Sequence, residues 1–161
     1  MAIPIPRHVV VEFYQAFVAA CSTRDLDRIA PFLHDNVEWI ITGPVEVLTF
    51  CGTRRGKAAV LDLIARVAPA VFHIRDFVRE ELLVDGNRVA ALIRVAGVQR
   101  GTGAAISYRI AQFMRFNLHQ VVQFRAVIDS FDAAEQVLGR PIDVGMHARR
   151  AGDLIGDLVK L

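Results

Sequence analysis

The 161-residue chain has little of what usually anchors a functional assignment. Its two cysteines, Cys21 and Cys51, form no Cys-x-x-Cys pair, which argues against a disulfide framework or a zinc knuckle. Neither carries the signature of an activated nucleophile. The five histidines show no His-x-His or His-Glu-x-x-His spacing, so no metal site is expected. Neither Gly52-x-x-x-Gly56 nor Gly101-x-Gly103 continues into Gly-Lys-Ser/Thr, so neither is a phosphate loop, and no cofactor is expected. Apolar runs are short, Val67–Phe72 among the longest, and none approaches the ~20 residues of a membrane span. The segment Met1–Arg7 lacks a basic stretch followed by an apolar one, so no signal peptide is expected and the cytoplasm is the expected location. Charge of one sign is scarce too: 19 Lys+Arg against 17 Asp+Glu leaves +2. The basic pairs Arg54-Arg55 and Arg149-Arg150 have acids scattered between them, which reads as a solvated surface. No nucleic-acid or membrane partner is expected.

What the chain has is apolar residues, 53% of the total against a usual ~45–50%. Its length suggests one domain. The surplus over an ordinary core predicts a pocket or a subunit interface. Val10, Phe13, Phe17 and Cys21 recur at helical spacing, with Tyr14 and Val18 beside them, over a helix from Arg7 to Cys21. Asp25 is a candidate N-cap for a short helix carrying Leu26, Ile29 and Leu33. Val37, Trp39 and Ile41 alternate with Asn36, Glu38 and Ile40, which predicts a first strand ended by Gly43-Pro44. A loop through Val47, Leu48 and Phe50 and on through Gly52–Gly56 leads to a third helix, Lys57–Val67, closed by Pro69.

Four long strands follow: 71–84, 88–98, 104–117 and 121–129. Asp85-Gly86-Asn87 marks a hairpin between the first two. The third has Ile106, Tyr108, Ile110, Gln112, Met114 and Phe116 on one face and Ser107, Arg109, Ala111, Phe113 and Arg115 on the other. In the fourth, Val122, Phe124, Ala126 and Ile128 oppose Gln123, Arg125 and Asp129. A short helix, Phe131–Leu138, ends at Gly139, and Leu154, Ile155, Leu158 and Val159 predict an appended amphipathic helix. Helices followed by antiparallel strands make an α+β fold. A curved sheet with helices on its concave face would close a deep pocket.

Several segments carry a resemblance: Val11-Glu-Phe-Tyr-Gln-Ala-Phe17, Asp25-Leu-Asp27, Asp35-Asn-Val-Glu-Trp39, Gly52-Thr-Arg-Arg-Gly-Lys-Ala-Ala-Val60, Phe113-Met-Arg-Phe-Asn117 and Arg125–Asp129. In order and spacing they resemble the nuclear transport factor 2-like superfamily, in its SnoaL-like and ketosteroid-isomerase-like branch, over residues 7–139. The resemblance implies a cone-shaped α+β domain over 1–139, with three helices on the concave face of a strongly curved, mostly antiparallel sheet. It leaves 140–161 as a C-terminal extension. It also implies an apolar pocket and a homodimer through the sheet's outer face. Ketosteroid isomerases place a helix Tyr, a strand Asp base and a protonated strand Asp in that pocket. The Tyr position matches Phe17, or Tyr14 if the helix is a turn longer. The base position matches Ile40 or Ile41, and the second acid matches Gln112. An isoleucine accepts no proton, and a glutamine donates a hydrogen bond without being an acid.

Gln112 interrupts an apolar face, so it is a candidate donor to a ligand oxygen or else a core amide satisfied by protein. Tyr14 and Tyr108 are candidate phenol donors. Asp76, placed on an even face with Phe72, Ile74 and Val78, and Glu38, beside Trp39, are the candidate bases; the alternative is that a bulge or edge turns Asp76 to solvent and that Glu38 is a solvated side chain. Phe17, Trp39, Ile40, Met114 and Phe124 complete the expected ligand-binding set. His34 and His73 are weaker candidate bases. The expected ligand is a small apolar molecule bearing oxygen. Isomerisation, cyclisation or dehydration is the expected chemistry if the pocket is catalytic, and a non-catalytic binding protein is the alternative.

Overall fold

The structure, a computed structural model, describes residues 3–143. The expected tail helix at 146–161 lies outside the described residues.

Helix α1 spans Arg7–Thr23, with Arg24 in the left-handed region (φ 60°) and its N–H bonded back to Ala20. The predicted helix is borne out and runs two residues longer. Asp25 occupies the N-cap position of α2 (Leu26–Ile29), but its side chain makes no capping bond. A 3₁₀ turn, Ala30–Phe32, contains Pro31, which keeps this helical stretch short. Leu33, expected on the helix, instead opens β1 (Leu33–Thr42).

The segment Gly52–Arg55, read from the sequence as loop, pairs with β1 as the four-residue edge strand β2. Helix α3 (Lys57–Asp62) passes into a π-turn, Leu63–Val67, in which the Ala68 N–H reaches back five residues to Leu63. Pro69 was expected to close the helix. It sits instead at the start of α4 (Ala68–Val71), where a missing N–H is tolerated, and the helical path continues to Val71.

Strands β3 (Phe72–Asp85), β4 (Arg88–Gln99), β5 (Ala105–Asn117) and β6 (Gln120–Ile128) follow, then α5 (Ser130–Leu138). The sheet order is β2-β1-β6-β5-β4-β3. The β1–β6 pair is parallel and the others antiparallel. The sheet is curved and unclosed, as the cone-shaped expectation requires. The hairpin expected at Gly86-Asn87 is present, with Gly86 at φ 55°.

The inner face is a set of registered rows. Trp39, Phe124, Met114 and Val89 make one, and Ile41, Ala126, Gln112 and Ala91 make the next. Phe13 of α1 packs edge-on against Phe116 at 6.0 Å, which seats α1 on this face. The opposite row of Ile40, Arg125, Phe113, Ala90 and Leu83 lies on the outer face. That register corrects the expectation that Ile40 lines the pocket. Strand side chains alternate, so Trp39 and Ile40 cannot share a face.

Candidate functional site

The inner row holding Gln112 has small residues on both sides of it, Ala126 and Ala91. Space is left where large side chains would otherwise meet. Between α1, the π-turn and the sheet lies a cavity of about 80 Å³. Phe17 and Cys21 wall it from α1, Leu63 and Ile64 from the π-turn, and Phe72, Ile74 and Phe77 from β3. Trp39, Tyr108, Gln112 and Phe124 complete it from the rest of the sheet. A larger hollow, about 460 Å³, opens on the outer face among Arg88, Phe113, Arg115 and Arg125. It is shallow and bordered by charge. The inner cavity has the apolar lining of a ligand site with a few placed polar groups.

The aromatic walls are mutually braced. Trp39 and Phe124, registered neighbours on β1 and β6, stack at 3.6 Å with 7° between their planes. Phe17 stacks on Trp39 at 6.0 Å and tilts against Phe77 at 5.6 Å. Gln112 is 3% exposed and is the only buried polar or charged residue among the described residues. The Tyr14 hydroxyl donates to its Oε1 at 2.9 Å, a bond that spans the gap between α1 and β5. With Oε1 engaged, the Gln112 Nε2 retains its N–H donors and has no protein acceptor among the described residues. The Trp39 indole Nε1–H is the one fully buried side-chain N or O atom without a hydrogen-bond partner among the described residues.

Burial governs the acidity of this site. It raises both tyrosines, Tyr14 and Tyr108, far above the ordinary phenol range, with the Arg79 guanidinium, 5.4 Å from the Tyr14 ring centre, pulling slightly the other way. Burial also pushes the Cys21 thiol up to about 12. These groups are therefore neutral hydrogen-bonding or apolar walls at physiological pH. No carboxylate or imidazole lines the cavity among the described residues.

Phe17, Trp39, Tyr108, Gln112 and Phe124 thus come together, and Tyr14 joins them through Gln112. Ile40 does not. Met114 is buried one row beyond Gln112, opposite Phe124, and belongs to the core rather than the cavity wall. Glu38 faces away from Trp39, near the Arg55 guanidinium at 3.6 Å and accepting from Gln123 Nε2 at 3.2 Å.

Asp76 is exposed. The reason is a bulge: Ile74 pairs with Gly97 and Asp76 with Ala96, so Arg75 is an extra residue on β3. The inward face switches there from even to odd, and Phe77 takes the place that strict alternation would give Asp76 or Val78. His34 accepts the Asn36 N–H at 3.1 Å at the start of β1, and His73 is exposed on β3. Ile41, Phe50, Leu63, Ile64 and Phe77 were missed as lining residues. Ile41 was legible from its alternation with Trp39, whereas Phe77 was not legible without the bulge. No group of three or more metal-ligating side chains occurs among the described residues.

The model of the SnoaL-like domain family matches residues 14–124. No curated protein matches the chain. Among solved structures, a Rhodopseudomonas palustris protein provisionally named an isomerase is 33% identical. The match covers 84% of this chain and all of that one, with a TM-score of 0.77. A nuclear transport factor 2-like protein from Burkholderia xenovorans is 22% identical, over 81% of this chain and 96% of that one, with a TM-score of 0.66. An LEH-like epoxide hydrolase from M. tuberculosis is 15% identical, over 82% and 91%, at 0.64, a likeness of fold alone. Order of elements, sheet register, enclosed cavity and these matches agree: the chain belongs to the SnoaL-like domain family, with the nuclear transport factor 2-like fold.

Proposed function

We propose that the cavity binds a small apolar molecule carrying an acceptor oxygen, with Gln112 as the group that recognises it. The carrying observation is the Tyr14–Gln112 pair. Tyr14 engages the amide oxygen and so orients Nε2 as a donor in an apolar enclosure. A carbonyl, hydroxyl or ether oxygen entering there meets that donor, and the Trp39 indole N–H lies in the same wall. An unmet buried donor such as the Trp39 N–H costs about 1–3 kcal/mol, so an acceptor is favoured over a hydrocarbon of equal size.

Trp39 is the single tryptophan, so its fluorescence reads the cavity directly. The test titrates the protein with 4-phenyl-2-butanone and with butylbenzene, which lacks the oxygen. The ketone is expected to bind about tenfold tighter, in line with one net hydrogen bond. Equal affinities would remove Gln112 from recognition, and no response to either would remove the site.

A catalytic reading draws support from the 33%-identical neighbour provisionally named an isomerase. Gln112 and Tyr14 can polarise a carbonyl, but proton abstraction needs a base, and the described lining supplies none. Binding without proton transfer is therefore the preferred reading. Protein-dependent loss of α-deuterium from labelled 4-phenyl-2-butanone in H2O would replace it with the enzymatic one.

We also propose that two copies pair through the sheet's outer faces. Phe113, Val127 and Leu83 are exposed there by 53%, 51% and 68%. Arg109 and Arg94 lie on the same face, both against Glu80, at 2.8 and 3.5 Å. A large apolar centre with a charged border is the anatomy of a protein interface.

A further inference from the structure

A second hollow adjoins the inner cavity. A polar depression of about 80 Å³ shares Cys21, Ile64, Ala68, Phe72 and Ile74 with it, so these residues stand between the two. Past these residues its lining turns cationic: Arg24 and Arg100, beside His73 and Ser22, with no carboxylate.

Both arginines are placed by backbone rather than by side-chain bonds. Arg24 terminates α1 in the left-handed region, with its N–H on the Ala20 carbonyl. Arg100 follows β4, with its N–H on the Val71 carbonyl at 3.0 Å. Neither guanidinium makes an ion pair among the described residues. The Ser22 hydroxyl already donates to the Val18 carbonyl. The carbonyl end of α1 contributes about half a negative charge nearby, less than the two full positive charges that face it. A guanidinium presents a planar fork of donors suited to a carboxylate.

We propose that the ligand is an amphipathic carboxylate. Arg24 and Arg100 hold its carboxylate at the rim, its carbon body passes Phe72 and Ile74, and its far end lies in the inner cavity near Gln112. This rests on the reading of the inner cavity as a ligand site and adds the chemical class that enters it.

The test compares 4-phenylbutanoate with 4-phenylbutanamide, an isostere without charge, at pH 8 by Trp39 fluorescence. The acid is expected to bind at least about tenfold tighter, and 0.5 M NaCl should narrow that gap. Arg24→Gln and Arg100→Gln should each cut the acid's affinity several-fold and leave the amide's unchanged. Arg100 is exposed and tied in by its backbone, so its variant keeps the test sound if the Arg24 variant folds poorly. An amide that binds as tightly as the acid overturns the proposal. Variants that lose both ligands equally also overturn it. If 4-phenyl-2-butanone binds and the acid does not, the carboxylate assignment fails while the cavity reading stands. If none of the three binds, both fail.

Discussion

Gln112 and Tyr14 are each buried and each depends on the other for a hydrogen bond. Replacing Gln112 with Leu leaves the Tyr14 hydroxyl without its acceptor. We expect a loss of about 1–3 kcal/mol in urea unfolding, together with loss of the ketone preference in the Trp39 titration. The double variant Tyr14→Phe with Gln112→Leu should cost less than the sum of the single changes, because it removes both partners. Strict additivity would show that the pair is not coupled. Gln112 was legible as the polar interruption of an apolar face, and its neighbours on that face, Tyr108 and Ile110, come with it. The Tyr14 partnership was not legible, since nothing local links positions 98 residues apart. A bulge or edge that turns Asp76 to solvent was the sequence's alternative to a buried base, and the structure has it, but its position at Arg75 was not legible, because an extra residue in a strand has no signature in the alternation that it interrupts.

Strand β3 shows how one element's irregularity sets the site. Its two register shifts, at Ile74/Asp76 and Arg79/Glu81, turn the inward face from even to odd and back. Phe72, Ile74 and Phe77 therefore reach the cavity, and Leu82 and Val84 reach the core beyond it. Gly97, opposite Ile74, permits the close approach of the strands. A Cβ there would stand 2.1 Å from the His73 carbonyl oxygen and 2.9 Å from its carbon, both backbone atoms unable to yield. Gly97→Ala is expected to destabilise the fold by about 2 kcal/mol or more, read as a fall in the urea midpoint. A neutral effect would mean that β3 shifts freely. The π-turn works similarly on the helical side, carrying Leu63 and Ile64 to the cavity and making room for Pro69. Sequence periodicity marked this helix but not its extra residue. It missed β2 because Gly52–Arg55 is four residues long and polar, with no alternation to detect.

At the scale of the molecule, the buried weak acids make stability sensitive to alkali. Burial raises Cys21 from 9.0 to about 12 and Cys51 to about 11, and Tyr14 and Tyr108 move the same way. A raised folded-state pKa means that the stabilisation is complete below the unfolded thiol value near 9.0 and is lost as pH rises toward 11–12. The urea midpoint should hold near pH 8 and fall between pH 9 and 12, and a flat profile there would contradict the burial of these groups. The paired-sheet proposal predicts a mass of about twice 17.8 kDa by light scattering at micromolar concentration, and a single-chain mass for Phe113→Asp. A single-chain mass for the unaltered protein would end that proposal. Among the described residues no helix is long and apolar enough to cross a membrane. By itself the amino-acid order determined the α1 stripe, the four long strands, the hairpin turns and the α+β class. These arise from local periodicity and turn chemistry, which act over a few residues. Tertiary structure alone decided which face is concave, where β3 changes face, how α1 reaches Gln112, and that the acids lie outside the cavity. Those outcomes depend on register and curvature, which distant strands and helices impose on one another.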